Sequence, residues 1–290
     1  MAEKIRIGIL GGTGVEKLPG LTIEEERKIY TPFGNTSSKV MIGTLSAGGK
    51  EVKIAFISRH GPSHSIPPHK INARANFWAF KQLGVERVIS PAAVGSLRPE
   101  IEKGHFVIPD QILDFTRNRI WSFYQGGVVA HVSVADPYCP ELRKLAYESA
   151  SKYVTTHNGG TFVCIEGPRF STRAESRMFR MLGGDIIGMT VSPEFVLARE
   201  MEMCFVSIAM VTDYDVWAGE CKKCGAIVEL PGPCPKCGGE VKPLAVTNEE
   251  VLETMKQNSE NLTKVLVDLI PRIPEERTCE CAHAMEGATL

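Results

Sequence analysis

The sequence has no surplus of either charge: Lys and Arg total 33 against 34 for Asp and Glu, a formal net charge of −1 at pH 7. It also has no basic stripe interleaved with aromatic residues, so nothing draws it to nucleic acid or to an anionic membrane. Long hydrophobic runs are missing too. No stretch of about 18 apolar residues occurs, so no membrane-spanning helix is expected. Lys4 and Arg6 interrupt the apolar residues at the N-terminus before a signal-peptide core can form, and the expectation is a soluble cytoplasmic protein. Internal repeats and low-complexity tracts are absent. Two nucleotide-binding signatures fail as well. Gly11-Gly12-Thr13-Gly14 is not followed by the Gly-Lys-Ser/Thr of a P-loop, and Lys17 stands where the dinucleotide fingerprint requires its last glycine.

What is present suits one large core: 290 residues, 43% of them hydrophobic. Three apolar, β-rich runs end in small or polar residues: Ile5 to Leu10 before Gly11, Val52 to Ile57 before Ser58-Arg59-His60-Gly61, and Val85 to Ile89 before Ser90-Pro91-Ala92-Ala93. They read as buried strands running into loops. Helix-like stretches follow at Asn72 to Leu83, Cys139 to Lys152, Ser171 to Met181, Pro193 to Glu202 and Asn248 to Ile270. The alternation predicts a single α/β domain over residues 1–290, a sheet flanked by helices with its chemistry at the strand ends.

The candidate chemistry lies on those loops. Gly11 to Gly14 offers backbone N–H groups and the Thr13 hydroxyl to an anion, and reads equally as a tight turn. Arg59 supplies a planar donor fork that suits phosphate oxygens. His60, His64 and His69 lie close together, but their spacing fits no zinc pattern. In Ile165 to Ser171, Ser171 is placed to cap a helix with Phe170 before it, and the same pair can stack on a purine and bond its edge. Val211 to Trp217 closes an apolar run with Asp213 and Asp215 two apart, which on a strand share a face. Two carboxylates held together and buried favour protonation of one, as a general acid for a leaving base requires.

From Ala218 to Lys242 both the helix and strand periods vanish. Residues 218–242 read as an insertion carrying Cys221-Lys222-Lys223-Cys224 and Cys234-Pro235-Lys236-Cys237. Each Cys-x-x-Cys wraps two thiolates around one ion, with Gly225 and Gly238 just beyond for the tight turn. Cys221, Cys224, Cys234 and Cys237 thus predict a closed structural zinc site of zinc-ribbon type. Because the insert falls between Asp215 and the last helix, it is expected to order the cover over one end of the substrate. Of the remaining five cysteines, Cys279 and Cys281 could form a redox pair, although a bridge between residues two apart is strained.

Taken together, GGTG, SRHG with IPPHKINARAN, GSLR at Gly95 to Arg98, IEGPRFSTRAES, GMTVSPE and TDYDVW resemble the purine nucleoside phosphorylase family, within it the branch that cleaves methylthioadenosine. The resemblance implies a mixed sheet of nucleoside phosphorylase fold, no organic cofactor, phosphate as co-substrate, and a homotrimer or homohexamer whose pockets neighbouring subunits complete. Thr13, Arg59, His60, Ala93 and Thr190 would then hold phosphate, with Ala92 where the family usually offers a threonine. Met189 would pack on the ribose. Phe170, Ser171, Asp213 and Asp215 would face the purine, with Asp213 bonding N7. His131, Val251 and Leu252 would line the 5' pocket, and Asn248 stands where a small apolar residue is usual. The 6-oxopurine relatives carry Glu and Asn in place of Ser171 and Asp213, so the set here is the amino-purine one. The alternatives are such a 6-oxopurine phosphorylase and a zinc-ribbon nucleic-acid-binding protein.

Overall fold

A computed structural model describes residues 4–12, 17–244 and 248–290, with side chains in the last helix from Leu252 onward. The strands of its main sheet are β1 (Ile7–Gly11), β2 (Leu21–Arg27), β3 (Val40–Ala47), β4 (Lys50–Ser58), β5 (Arg87–Ser96), β6 (Phe106–Ile108), β7 (Gln111–Phe115), β8 (Thr156–Asn158), β9 (Thr161–Ile165), β10 (Ile186–Gly188) and β11 (Cys204–Asp213). The helices are α1 (Ala73–Leu83), α2 (Pro140–Ala150), α3 (Arg173–Met181), α4 (Val191–Glu200) and α5 (Asn248–Leu269). Between β11 and α5 a separate small sheet holds β12 (Ala218–Cys221), β13 (Ile227–Glu229) and β14 (Val241–Pro243).

The 11 strands form one mixed sheet in the order β2-β3-β4-β1-β5-β10-β9-β7, with β11 also on β5, β6 on β11 and β8 on β6. At its centre β4, β1, β5 and β11 run parallel. Where both faces are covered, as at Ile54–Ile57 in β4 and along most of β1 and β11, the residues are almost all apolar. Ile7, Ile9, Ile89 and Ile208 pack under α2 and α5, whereas Leu10, Ile57, Val88 and Phe205 pack under α1 and α4. The outermost strand β2 carries Glu24, Glu25 and Glu26 toward solvent, charges that protect an exposed sheet edge.

Helix ends follow local chemistry. Asn72 caps α1 by accepting from Ala75 N, and Gly84 closes it at φ 85°. The cap of α3 is Thr172 in a reciprocal box with Glu175, not Ser171 as the sequence led us to expect. A second difference concerns β5, which continues through Ser90-Pro91-Ala92-Ala93 instead of ending before them. The Pro91 carbonyl faces Arg59, which donates to it at 2.9 Å. A strand residue's N and C=O share an edge, so the missing N–H falls on that side and breaks no bond to β11.

Candidate functional site

One large cavity of about 700 Å³ opens beyond the carboxyl ends of β1, β4, β5 and β11, with α5 as one wall. This is where an α/β sheet of this kind gathers its ligands.

Gly12, Arg59, His60, Ala92, Ala93 and Thr190 stand in the cavity wall. Arg59 is buried: Nε donates to Glu194 Oε1 at 2.6 Å, and Nη2 to Leu10 O and Ser90 Oγ, each at 2.6 Å. The sequence predicts a fork aimed at phosphate; in the fold Nε and Nη2 are spent on these partners, and Nη1 of Arg59 also donates to Pro91 O at 2.9 Å. Its partner Glu194, 1% exposed, went unnoticed because nothing in sequence links α4 to the end of β4. His60 stacks on His64 with ring centroids 4.1 Å apart. Burial, with the Arg59 charge adding to it, pushes the His60 imidazole down to about 4. Its Nδ1 lies 2.9 Å from the Ile66 carbonyl, which can only accept, so Nδ1 carries the hydrogen and Nε2 is the acceptor.

Phe170, Ser171, Asp213 and Asp215 line the same cavity. The two carboxylates meet by a turn, not by strand alternation: β11 is irregular between Val211 and Asp213, and Asp215 has φ 22°. Asp213 accepts from Thr212 Oγ1 at 2.7 Å and from Asp215 N at 3.1 Å. Gly95 makes room for it, since a Cβ there would lie 2.9 Å from Asp213 Oδ2. Burial pushes the Asp215 carboxyl up to about 6, the Ser176 hydroxyl opposes this, and the neighbouring Asp213 adds to the rise. The proton expected of the pair is thus favoured on Asp215.

Thr190 Oγ1, Ser171 Oγ and Asp215 Oδ2 are buried without a hydrogen-bond partner among the described residues. Each such atom costs about 1–3 kcal/mol. Three of them in the wall of one cavity point to a polar ligand that supplies the missing partners.

Met189 also lines the cavity, while Phe170 and Leu252 stand half-exposed or more at its mouth. Thr13 and the Val251 and Asn248 side chains lie outside the described residues. His131 does not line this chain's cavity. It is exposed, and its N–H donates to Ala288 O at 2.8 Å, so the residue rides on the carboxyl-terminal tail. The α5 wall adds Met255, Ser259, Leu262, Thr263 and Leu266. Their three-and-four spacing is a helix-face signal that was legible in the sequence.

The insert builds two matching knuckles. Gly225 N donates to Cys221 O and Gly238 N to Cys234 O, both at 2.8 Å, and both glycines have positive φ, 68° and 67°. Sγ of Cys237 lies 3.5 Å from those of Cys221 and Cys224, and Cys224 and Cys234 are 3.7 Å apart. Four thiolates around an ion at about 2.3 Å stand near 3.8 Å from one another, so this donor set fits a tetrahedral metal. The insert sits away from the cavity. Ile227 packs with Trp217, Phe179 and Leu97, Arg180 lies 4.0 Å over the Trp217 ring, and Arg180 pairs with Glu229 at 2.6 Å. No described residue of the insert lines the cavity, and residues 245–247, which join the insert to α5, lie outside the described residues.

The fold and cavity define a small-molecule α/β protein with the nucleoside phosphorylase architecture. The phosphorylase superfamily profile matches residues 6–271, and the chain belongs to that superfamily. It is 53% identical over 289 residues to the S-methyl-5'-thioadenosine phosphorylase of Thermofilum pendens, covering 99% of this chain and 100% of that one. With the protein of the same name from Saccharolobus solfataricus it shares 51% over 294 residues, covering 99% and 98%. Among solved structures, a methylthioadenosine phosphorylase from an Antarctic soil metagenomic library superposes with a TM-score of 0.85 at 35% identity, covering 99% of this chain and 93% of that one. The Schistosoma mansoni methylthioadenosine phosphorylase in complex with adenine gives 0.82 at 30%, covering 98% and 97%.

Proposed function

We propose that the protein cleaves S-methyl-5'-thioadenosine with phosphate, giving adenine and 5-methylthioribose 1-phosphate. The observation that carries this reading is the carboxyl pair Asp213 and Asp215 in the wall of a cavity that His60, Ala92, Ala93 and Thr190 also line. Phosphate sits against the N–H groups near Ala93, the Thr190 hydroxyl and the Nη1 group of Arg59. Neutral His60 accepts the P–OH of hydrogen phosphate on Nε2. The purine lies against Phe170, with Ser171 and Asp215 on its 6-amino edge and Asp213 at N7. As the glycosidic bond breaks, its electrons pass into the base and the pair delivers one shared proton toward N7. Phosphate on the opposite face stabilises the developing oxocarbenium charge and then bonds C1'. Covering the pair with a purine removes further water and raises the proton's hold on Asp215.

The reading includes a cytoplasmic homotrimer or homohexamer in which His131 serves a neighbour's 5' pocket, a structural zinc on Cys221, Cys224, Cys234 and Cys237, and no organic cofactor. The test is release of free base from methylthioadenosine, adenosine and inosine, with and without phosphate. Methylthioadenosine is cleaved best, only with phosphate, and inosine is poorer by up to about 10⁴-fold because its edge mismatches the buried polar groups. Asp213→Asn lowers kcat/KM by about 10² to 10⁴. Inosine cleaved as well as methylthioadenosine would mark a 6-oxopurine enzyme instead.

A further inference from the structure

Four cysteines that the proposed reaction does not use converge from three distant parts of the chain. Cys139 precedes α2, Cys204 opens β11, and Cys279 and Cys281 lie on the carboxyl-terminal tail. Their sulfurs all lie within 4.8 Å of one another. All four residues are buried, Cys204 completely.

We propose that Cys139, Cys204, Cys279 and Cys281 hold a second structural zinc ion, which pins the carboxyl-terminal tail to the core. The Cys279 sulfur lies 3.4 Å from that of Cys204 and 3.7 Å from that of Cys139. One sulfur with two near-equal neighbours describes a shared centre, whereas disulfides would give each sulfur a single partner. The spacing matches the edge of a tetrahedron with metal–sulfur bonds of about 2.3 Å, and it repeats that of the ribbon cysteines. A direct bridge between Cys279 and Cys281 is disfavoured because residues two apart strain the bond. A soft, closed, four-sulfur set selects zinc over the hard cations.

The backbone holds these donors in place. Cys139 N donates to Phe205 O at 2.8 Å and Cys204 N to Glu86 O at 2.9 Å, which lock the two core ligands to the sheet. The tail is fixed just before its ligands, with Arg87 Nη2 donating to Glu276 O at 2.8 Å and Arg277 Nη1 to Glu202 O at 2.6 Å. Binding releases four thiol protons and leaves the centre with two net negative charges. The Arg199 guanidinium, 3.7 Å from the Cys281 sulfur, offsets part of that charge. A second cavity of about 420 Å³ is lined by Cys281, Arg199 and Arg143 among others.

This inference stands apart from the catalytic reading and is tested by metal content. The full chain is purified under reducing conditions without chelator, and zinc is measured per chain in three proteins. Wild type is expected to carry two ions, Cys221→Ser/Cys224→Ser one, and Cys139→Ser/Cys279→Ser one. If wild type and the ribbon variant each carry one, the core site stands and the ribbon site is what fails. A ribbon variant that retains activity but carries no zinc, or carries iron, overturns the proposal. The ribbon variant leaves the core cysteines intact, so the test survives if the core variant does not fold. Loading the ribbon variant with cobalt(II) should give the intense thiolate-to-cobalt band of a four-sulfur site; its absence counts against the proposal. Alkylation after denaturation in chelator, without reductant, should label all four core thiols. Two bridges found among them would overturn it.

Discussion

At the scale of single residues, the site holds two titrating groups whose effects on stability oppose one another. Asp215 is pushed up to about 6 from 3.8, so between those values the folded protein binds a proton that the unfolded chain has released. Its contribution is fully present below about pH 4 and is lost as pH rises through about 6. His60 is pushed down to about 4 from 6.5, so in nearly the same window the unfolded chain holds the extra proton. Its contribution is present above about 6.5 and lost as pH falls through about 4. The two slopes nearly cancel in the native protein. Asp215→Asn removes one of them, which leads to a definite expectation. The variant should be more stable than wild type at pH 8, by up to about 3 kcal/mol, and the gap should close as pH falls toward 4. Urea unfolding at pH 4, 6 and 8 measures this; a pH-independent difference would show that Asp215 titrates normally. The gain in stability should come with lost activity, as expected of a carboxyl held under strain for its chemistry.

At the scale of elements, the cavity wall around Arg59, Ala92 and Ala93 depends on how α4 is tied to β4 and β5. Arg59 and Glu194, 2% and 1% exposed, form a buried pair, with Ser90 Oγ donating to Glu194 Oε2 at 2.7 Å. Removing one partner strands the other charge in the core. Glu194→Ala is therefore expected to cost about 3–5 kcal/mol, and Glu194→Gln less, because an amide still accepts from Nε. A Glu194→Ala protein within about 0.5 kcal/mol of wild type in urea unfolding would contradict this. The pair also marks the limit of what the sequence reveals. Strand cores such as Ile5 to Leu10 and Phe205 to Val211 were legible, because burial on both faces leaves a continuous apolar run. The knuckles at Gly225 and Gly238 were legible because their chemistry is local. The extent of β5 was not, since Pro91 reads as a breaker until the Arg59 edge of the strand is known. The joining of Asp213 and Asp215 was legible as proximity but not as geometry, because the bend at Asp215 depends on tertiary packing. The insert's docking was not legible for the same reason: its contact with Trp217 and Arg180 is set by neighbours far away in sequence.

At the scale of the whole molecule, the segment carrying His131 is the least explained by a lone chain. Ile120, Trp121, Val128 and Val129 are each 45–50% exposed, and Leu290 beside them is 87% exposed. Val129 accepts from Leu290 N at 2.9 Å, and Ala130 bridges Thr289, so the tail pairs with the segment. Exposed apolar side chains of this size, on a protein with net charge near zero, favour association. If a second copy covers it, His131 is carried to a neighbour's cavity, whereas Asp213 serves its own. Sedimentation is expected to show a trimer or hexamer, and His131→Ala to raise KM for methylthioadenosine. The decisive measurement mixes subunits. Each cavity would then draw Asp213 from one chain and His131 from another, so mixed oligomers of Asp213→Asn and His131→Ala contain some cavities with both residues native. Unfolding and refolding the two variants together should recover activity at low substrate above the average of the two refolded separately. Activity equal to that average, from verified mixed oligomers, would place His131 outside every active site.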